Sequence, residues 1–132
     1  MLQKRSILIV DDEDSVLQTL RMVFENEGYQ VATANSCQRA LEILGNGGSF
    51  DAVITDLNME SEDVGLEVAR AAVKRRPKPA VVICTGFASM NNSRESLTLG
   101  VDYMAHKPVE LTALISALNR LIAREHDLRG QR

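Results

Sequence analysis

The chain has no tryptophan, and only two tyrosines and three phenylalanines among 132 residues. A base-stacking platform for single-stranded RNA needs aromatic faces, and this sequence does not supply one. Basic runs are missing too: 15 Lys and Arg against 18 Asp and Glu leave a net charge of −3. Clustered Lys and Arg are what neutralise phosphates or an anionic bilayer, so nucleic acid and membrane surfaces are excluded as main partners. The longest apolar runs are Ile7–Val10 and Ala80–Cys84. Both fall far short of the ~20 residues that span a bilayer. The first stops at Asp11, which predicts no signal peptide. Cysteine occurs twice, at Cys37 and Cys84, without ligand spacing. Both read as small buried hydrophobes in a reduced, cytoplasmic setting.

Hydrophobic residues make up 45 % and charged residues 25 % of the chain, a globular balance on a length that fits one domain. Five short apolar runs alternate with segments of helical period. The runs are Ser6–Val10, Tyr29–Ala34, Asp51–Thr55, Ala80–Cys84 and Val101–Ala105. Val16, Leu17, Leu20, Val23 and Phe24 predict one helix, which Asp14 or Ser15 would cap and Gly28 would stop. Cys37, Ala40, Leu41 and Leu44 predict a second helix. Leu66, Ala69 and Val73 predict a third, closed by Pro77 and Pro79. A fourth, over Ser89–Leu99, has only Met90, Leu97 and Leu99 to anchor it. The last carries Leu111, Leu114, Ile115, Leu118, Leu121 and Ile122. Such alternation predicts an α/β fold with a parallel sheet covered by helices on both sides. Ligands then bind beyond the carboxyl ends of the strands.

Glycine is missing where it would matter most. A nucleotide fold needs it after the first strand, so that backbone N–H groups can approach phosphate. Here Asp11, Asp12, Glu13 and Asp14 follow instead. Asp56 follows the third strand, Thr85 and Gly86 the fourth, Lys107 and Pro108 the fifth. One sheet edge would therefore collect three carboxylates, a hydroxyl and an ammonium. Crowded carboxylates raise one another's pKa unless a cation neutralises them. Mg²⁺ suits one or two carboxylates plus a phosphoryl group. Asp56 stands alone on a central strand and is the candidate nucleophile, while the adjacent Asp11 and Asp12 are better placed to hold metal.

The segments ILIVDDE (Ile7–Glu13), VITDLNM (Val53–Met59), VVICTG (Val81–Gly86) and HKPV (His106–Val109) resemble the receiver domain of bacterial two-component response regulators. The resemblance covers about residues 5–124, with separations of 44 from Asp12 to Asp56, 29 to Thr85 and 22 to Lys107. It implies a flavodoxin-like, doubly wound five-stranded sheet of order 2-1-3-4-5 with five helices. Residues 1–126 would form the receiver domain, and 127–132 a polar tail or the start of a linker. Asp56 matches the phosphoacceptor. Asp12 matches the direct Mg²⁺ ligand, Asp11 the one acting through water, and Asn58 the position whose backbone carbonyl completes the shell. Thr85 matches the hydroxyl that follows the phosphoryl group, Gly86 its small neighbour and Lys107 the lysine that pairs with a phosphoryl oxygen. The Lys107–Pro108 bond would be cis. The implied partner is a histidine kinase or histidine phosphotransfer protein. The implied role is that of a phosphoacceptor with self-dephosphorylation, not an enzyme acting on other substrates. Its output would pass through the surface of the fourth helix, fifth strand and fifth helix.

Three departures from the family pattern stand out. The aromatic switch position three residues before Lys107 holds Met104. Tyr103 is one residue off and would face the other way unless a bulge intervenes. Glu60 stands where proline is usual, four residues after Asp56. Asp56 to Gly65 spans nine steps, one more than expected. Glu60 and Glu62 are therefore assigned to phosphoryl lifetime or partner choice. Two other readings compete. One is a small phosphohydrolase with an aspartyl-phosphate intermediate, of haloacid-dehalogenase type, using Asp11 and Glu13. The other is a pseudo-receiver that only binds partners.

Overall fold

A computed structural model describes residues 4–86 and 90–130. Five strands, β1 (Ser6–Val10), β2 (Gln30–Ala34), β3 (Ala52–Asp56), β4 (Ala80–Thr85) and β5 (Tyr103–His106), form one sheet of order β2-β1-β3-β4-β5. Every neighbouring pair is parallel. Helices α1 (Asp14–Asn26), α2 (Cys37–Gly45), α3 (Gly65–Val73), α4 (Met90–Leu99) and α5 (Leu111–Gly130) connect and follow the strands. The expected order 2-1-3-4-5 is the observed one.

Side chains alternate along each strand, so each central strand feeds two cores. Leu8, Val10, Val53, Val81 and Ile83 pack on the side of α2 and α3 with Ala40, Leu44, Val68 and Ala72. Ile7, Ile9, Ile54 and Val82 pack on the other side with Leu17 and Phe24 of α1 and Leu114, Leu118 and Ile122 of α5. β3 and β4 are buried throughout, as strands covered on both faces must be. The winding reverses between β1 and β3, which opens a crevice at their carboxyl ends.

The helix ends differ from the sequence expectation in part. Gly28, at φ +91°, follows α1 as expected, because a left-handed residue there suits glycine. Neither Asp14 nor Ser15 caps α1. Glu13 holds the cap position without a side-chain bond, and Asp11 Oδ1 accepts the Glu13 N–H at 2.9 Å instead. Ser36 caps α2 by accepting the Arg39 N–H at 3.1 Å. The expected start of α4, Ser89, lies outside the described residues. Of the expected anchors of α4, Leu99 is half-buried against the α2–α3 core. Asn92 and Ser96 are buried, while Leu97 is 76 % exposed. Ser96 Oγ donates to the Asn92 carbonyl at 2.8 Å. α5 extends through Gly130, and residues 131–132 lie outside the described residues.

Among the described glycines, Gly65 has the tightest surroundings. Its N–H donates to the Leu57 carbonyl at 2.7 Å. A Cβ there would meet the Asp56 carbonyl oxygen at 2.0 Å and Leu57 Cα at 2.7 Å. Backbone on both sides leaves no flexible atom to yield. Gly65→Ala is expected to lose about 1–3 kcal/mol of stability in urea unfolding, and an unchanged midpoint would contradict this packing.

Candidate functional site

Each site residue sits where a strand ends, and the ladder is prolonged to fix its backbone. Asp11 N–H donates to the Ala34 carbonyl at 3.1 Å, beyond the end of β1. Leu57 N–H, just after Asp56, donates to the Cys84 carbonyl at 2.9 Å. Lys107 N–H donates to the Thr85 carbonyl at 2.8 Å. Backbone positions are thus set by sheet pairing, and side chains need only extend from it. The Lys107–Pro108 bond is cis, as is Arg76–Pro77.

The carboxylates of Asp11, Asp12 and Asp56 bring one oxygen each within 4.8 Å of one another. Asp11 and Asp56 are buried and Asp12 is exposed. Lys107 Nζ lies 3.0 Å from Asp56 Oδ2 and 3.6 Å from Asp11 Oδ2. Asp11 is held from both sides, since its other oxygen accepts the Glu13 N–H. Thr85 is buried at the end of β4, one residue beyond Cys84, the β-partner of Asp56. Thr55 Oγ1 donates to the Asp56 carbonyl at 3.0 Å. A cavity of about 240 Å³ adjoins Asp11, Asp56 and Lys107 and is walled by Val16, Leu20 and Leu114.

Burial is the main reason the Asp56 carboxyl is held above its ordinary pKa. The Lys107 hydrogen bond and charge pull it down, and the charges of Asp11 and Asp12 push it up. Burial by itself lowers Lys107. The hydrogen bond to Asp56 and the charges of Asp56 and Asp11 outweigh that and hold the ammonium above its usual value. Burial pushes the neighbouring Cys84 thiol up to about 12, so it stays neutral beside the site. Three carboxylates against one ammonium leave the pocket with two unbalanced negative charges, the charge of one divalent cation. An all-oxygen donor set, partly exposed on one side, is what a hard cation selects. The residues present therefore fit a metal of the Mg²⁺ class.

The expected residues Asp11, Asp12, Asp56 and Lys107 come together, with Thr85 at the adjoining strand end. Asn58 is exposed in the following loop, and its side-chain Oδ1 accepts the Asp63 N–H at 2.6 Å. Asp63 in that loop sits at φ +58°, a conformation Asp tolerates better than most side chains. The β4–β5 register is unbroken, with Val82 opposite Tyr103 and Ile83 opposite Met104. No bulge rescues Tyr103. Met104 packs on the α2–α3 side of the sheet, and Tyr103 is 37 % exposed. Two features escaped the sequence reading: the close approach at Gly65 and the contact made by Glu60. Glu60 Oε1 accepts the Cys37 N–H at 3.0 Å, at the start of α2. The Gly65 signal was a lone glycine opening a helix-forming run. Nothing local announces the Glu60 contact, which joins residues 23 positions apart. Cys37 and Cys84 are free and buried, as expected.

The fold and the acidic pocket place this chain in a known class, and the comparison with known proteins names it. The chain belongs to the response regulator receiver domain family, which matches residues 7–119. It is 36 % identical over 137 residues to the alginate biosynthesis transcriptional regulatory protein AlgB of Pseudomonas aeruginosa, covering 92 % of this chain but 30 % of that protein. The chain thus spans about a third of the length of that curated relative. It superposes on a CheY-like response regulator receiver domain protein from Methanospirillum hungatei with a TM-score of 0.88 and 30 % identity, over 95 % of this chain and 98 % of that one. A receiver domain protein from Clostridium thermocellum gives a TM-score of 0.83 and 34 % identity, over 94 % and 98 %. Among the described residues no helix is long and apolar enough to cross a membrane.

The raised Asp56 pKa has a sign that can be tested. The folded protein holds that proton more tightly than the unfolded chain. The contribution of Asp56 to stability is therefore present below its unfolded pKa of ~3.9 and is lost as pH rises through the raised folded value. In chelator, Asp56→Asn is expected to melt above the wild type at neutral pH, with the gap closing towards pH ~4. Thermal unfolding across that range checks it, and equal melting points at neutral pH would contradict it.

Proposed function

We propose that this domain is a phosphoacceptor in a two-component phosphorelay, and that Asp56 receives the phosphoryl group from a histidine kinase or histidine phosphotransfer protein. The observation that carries the reading is Lys107 Nζ at 3.0 Å from Asp56 Oδ2, inside a cluster of three carboxylates. An Asp56 carboxylate oxygen attacks phosphorus. The O–P bond forms, the P–N bond of the phosphohistidine breaks, and the imidazole leaves with the electron pair. Lys107 then has a new anion to follow, and Thr85 offers one O–H donor from the neighbouring strand end. Asp11, Asp12, Asp56 and the Asn58 carbonyl would hold Mg²⁺. Bound there, that ion supplies positive charge to the phosphoryl oxygens.

The phosphoryl group adds up to two negative charges and strong acceptor oxygens. Lys107 and Thr85 are bonded through their backbones at the β4–β5 edge, so a pull on either side chain is transmitted to that edge. Helix α4 buries Asn92 and Ser96 and leaves Leu97 in solvent, which supports a shift in population of the α4–β5–α5 surface. Met104 takes the inward switch position, and Tyr103 stays at the surface. Hydrolysis of the acyl phosphate by water returns the carboxylate, so the domain resets itself without acting on other substrates. Buried, unpaired cysteines support a reducing, cytoplasmic setting.

Acetyl phosphate or a phosphorylated kinase is expected to label the wild type near one phosphoryl per chain when Mg²⁺ is present, and to leave Asp56→Asn unlabelled. Phosphate-affinity electrophoresis with mass spectrometry reads this. Stoichiometric labelling of Asp56→Asn would reject the assignment.

A further inference from the structure

The loop between Asp56 and α3 is fixed partly by another element. Leu57, at its start, is fully buried. Its N–H donates to Cys84 and its carbonyl accepts from Gly65. Met59 is half-buried against the α2–α3 core. The next residue, Glu60, reaches across to α2 and accepts the Cys37 N–H at 3.0 Å. That N–H is one of the donors a helix start leaves without an intrahelical partner. Ser36 takes the Arg39 N–H and Glu60 takes Cys37, so two side chains from separate segments share the capping of α2. A carboxylate is also the charge a helix N-terminus favours.

Leu57 and Glu60 are three residues apart, and the chain extends by at most ~3.6 Å per residue. With Leu57 pinned in the sheet and Glu60 pinned on α2, the Asn58 carbonyl between them has little freedom. A proline at position 60 would stiffen the loop through its own fixed φ. Glutamate stiffens it by a cross-element bond, which ties the loop to wherever α2 sits.

We propose that Glu60 is a positioning residue for the cation site: its carboxylate latches the Asn58–Asp63 loop to the N-terminus of α2 and thereby holds the Asn58 carbonyl for Mg²⁺. The proposal rests on the assignment of Asp11, Asp12, Asp56 and Asn58 to the cation shell. It implies reciprocity, since a latch that aids Mg²⁺ binding must itself be strengthened by Mg²⁺.

Mg²⁺ titrations of the full chain, followed by amide chemical shifts, test this on wild type, Glu60→Ala, Glu60→Gln and Glu62→Ala. Glu60 is exposed, so its replacement leaves the core intact. Glu60→Ala is expected to weaken Mg²⁺ roughly tenfold, the scale of an outer-shell loss. Glu60→Gln keeps an acceptor oxygen and should recover most of the affinity. Glu62→Ala removes the same charge from the same loop and should stay near wild type. Mg²⁺ should slow hydrogen exchange at the Cys37 amide in wild type and not in Glu60→Ala. Equal affinities for wild type and Glu60→Ala, or an equal loss in Glu62→Ala, would overturn the latch while the cation site stands. A wild type that binds no Mg²⁺ would overturn both.

Discussion

The contact between the Lys107 ammonium and the Asp56 carboxylate, at 3.0 Å, is the interaction on which the rest of the site depends. Asp56 is buried beside Asp11, with Asp12 close by. Ionising three acids in so small a volume is unfavourable in a medium less polarisable than water. One lysine offsets part of that and leaves the pocket short of positive charge. The site is thereby strained electrostatically towards taking up a cation. The same lysine is poised to exchange its carboxylate partner for a more highly charged one.

The sheet makes this arrangement rigid where it needs to be. Asp56 is the last paired residue of β3, while Asp11 and Lys107 stand one residue past β1 and β5 with backbone bonds to a neighbouring strand, and Asp12 follows Asp11. The carboxyl ends of β1, β3 and β4 meet at the reversal in winding, so residues far apart in sequence are brought into one pocket without any loop having to carry them. α4 presents Asn92 and Ser96 to the interior and Leu97 to solvent. Its surface ion pair to α3, Arg70 with Glu95 at 3.8 Å, is of a kind worth little. On the proposed function, this contrast between the paired sheet edge and α4 is what would convert a charge change at the site into a change at the α4–β5–α5 surface.

Much of this was legible in the chain itself, for identifiable reasons. The run Ala80–Cys84 reads as a strand buried on both faces and Ile7–Val10 as a further strand, and in an alternating β/α chain the polar and charged residues directly after such strands fall at one sheet edge. Asp11, Asp12, Asp56 and Lys107 followed from that reasoning together with the family resemblance. Periodicity also marked α1 and α5 as helices with an apolar face, and the structure packs the two in the same core. At α4 the few apolar residues predict loose anchoring: Leu99 is half-buried against the α2–α3 core, Leu97 faces solvent, and Ser96 Oγ bonds back to the Asn92 backbone carbonyl within the helix. Capping of α1 was misplaced, because Asp11 serves the turn from two residues upstream of the cap. The departures around Glu60 and Gly65 were visible as residue types. Their meaning was not, since it lies in contacts to α2 and to the Asp56 backbone that only the folded chain defines. The offset of Tyr103 was read correctly, because strand alternation is a local rule and β5 keeps it.

The most direct measurement is a crystal structure of the domain with Mg²⁺ and beryllofluoride, a stand-in for the phosphoryl group. The account predicts the beryllium on an Asp56 oxygen, the metal among Asp11, Asp12 and Asp56, and Lys107 Nζ paired with a fluorine. Beryllofluoride absent from Asp56, or bound there with Lys107 and Asp12 turned away from it, would contradict the account.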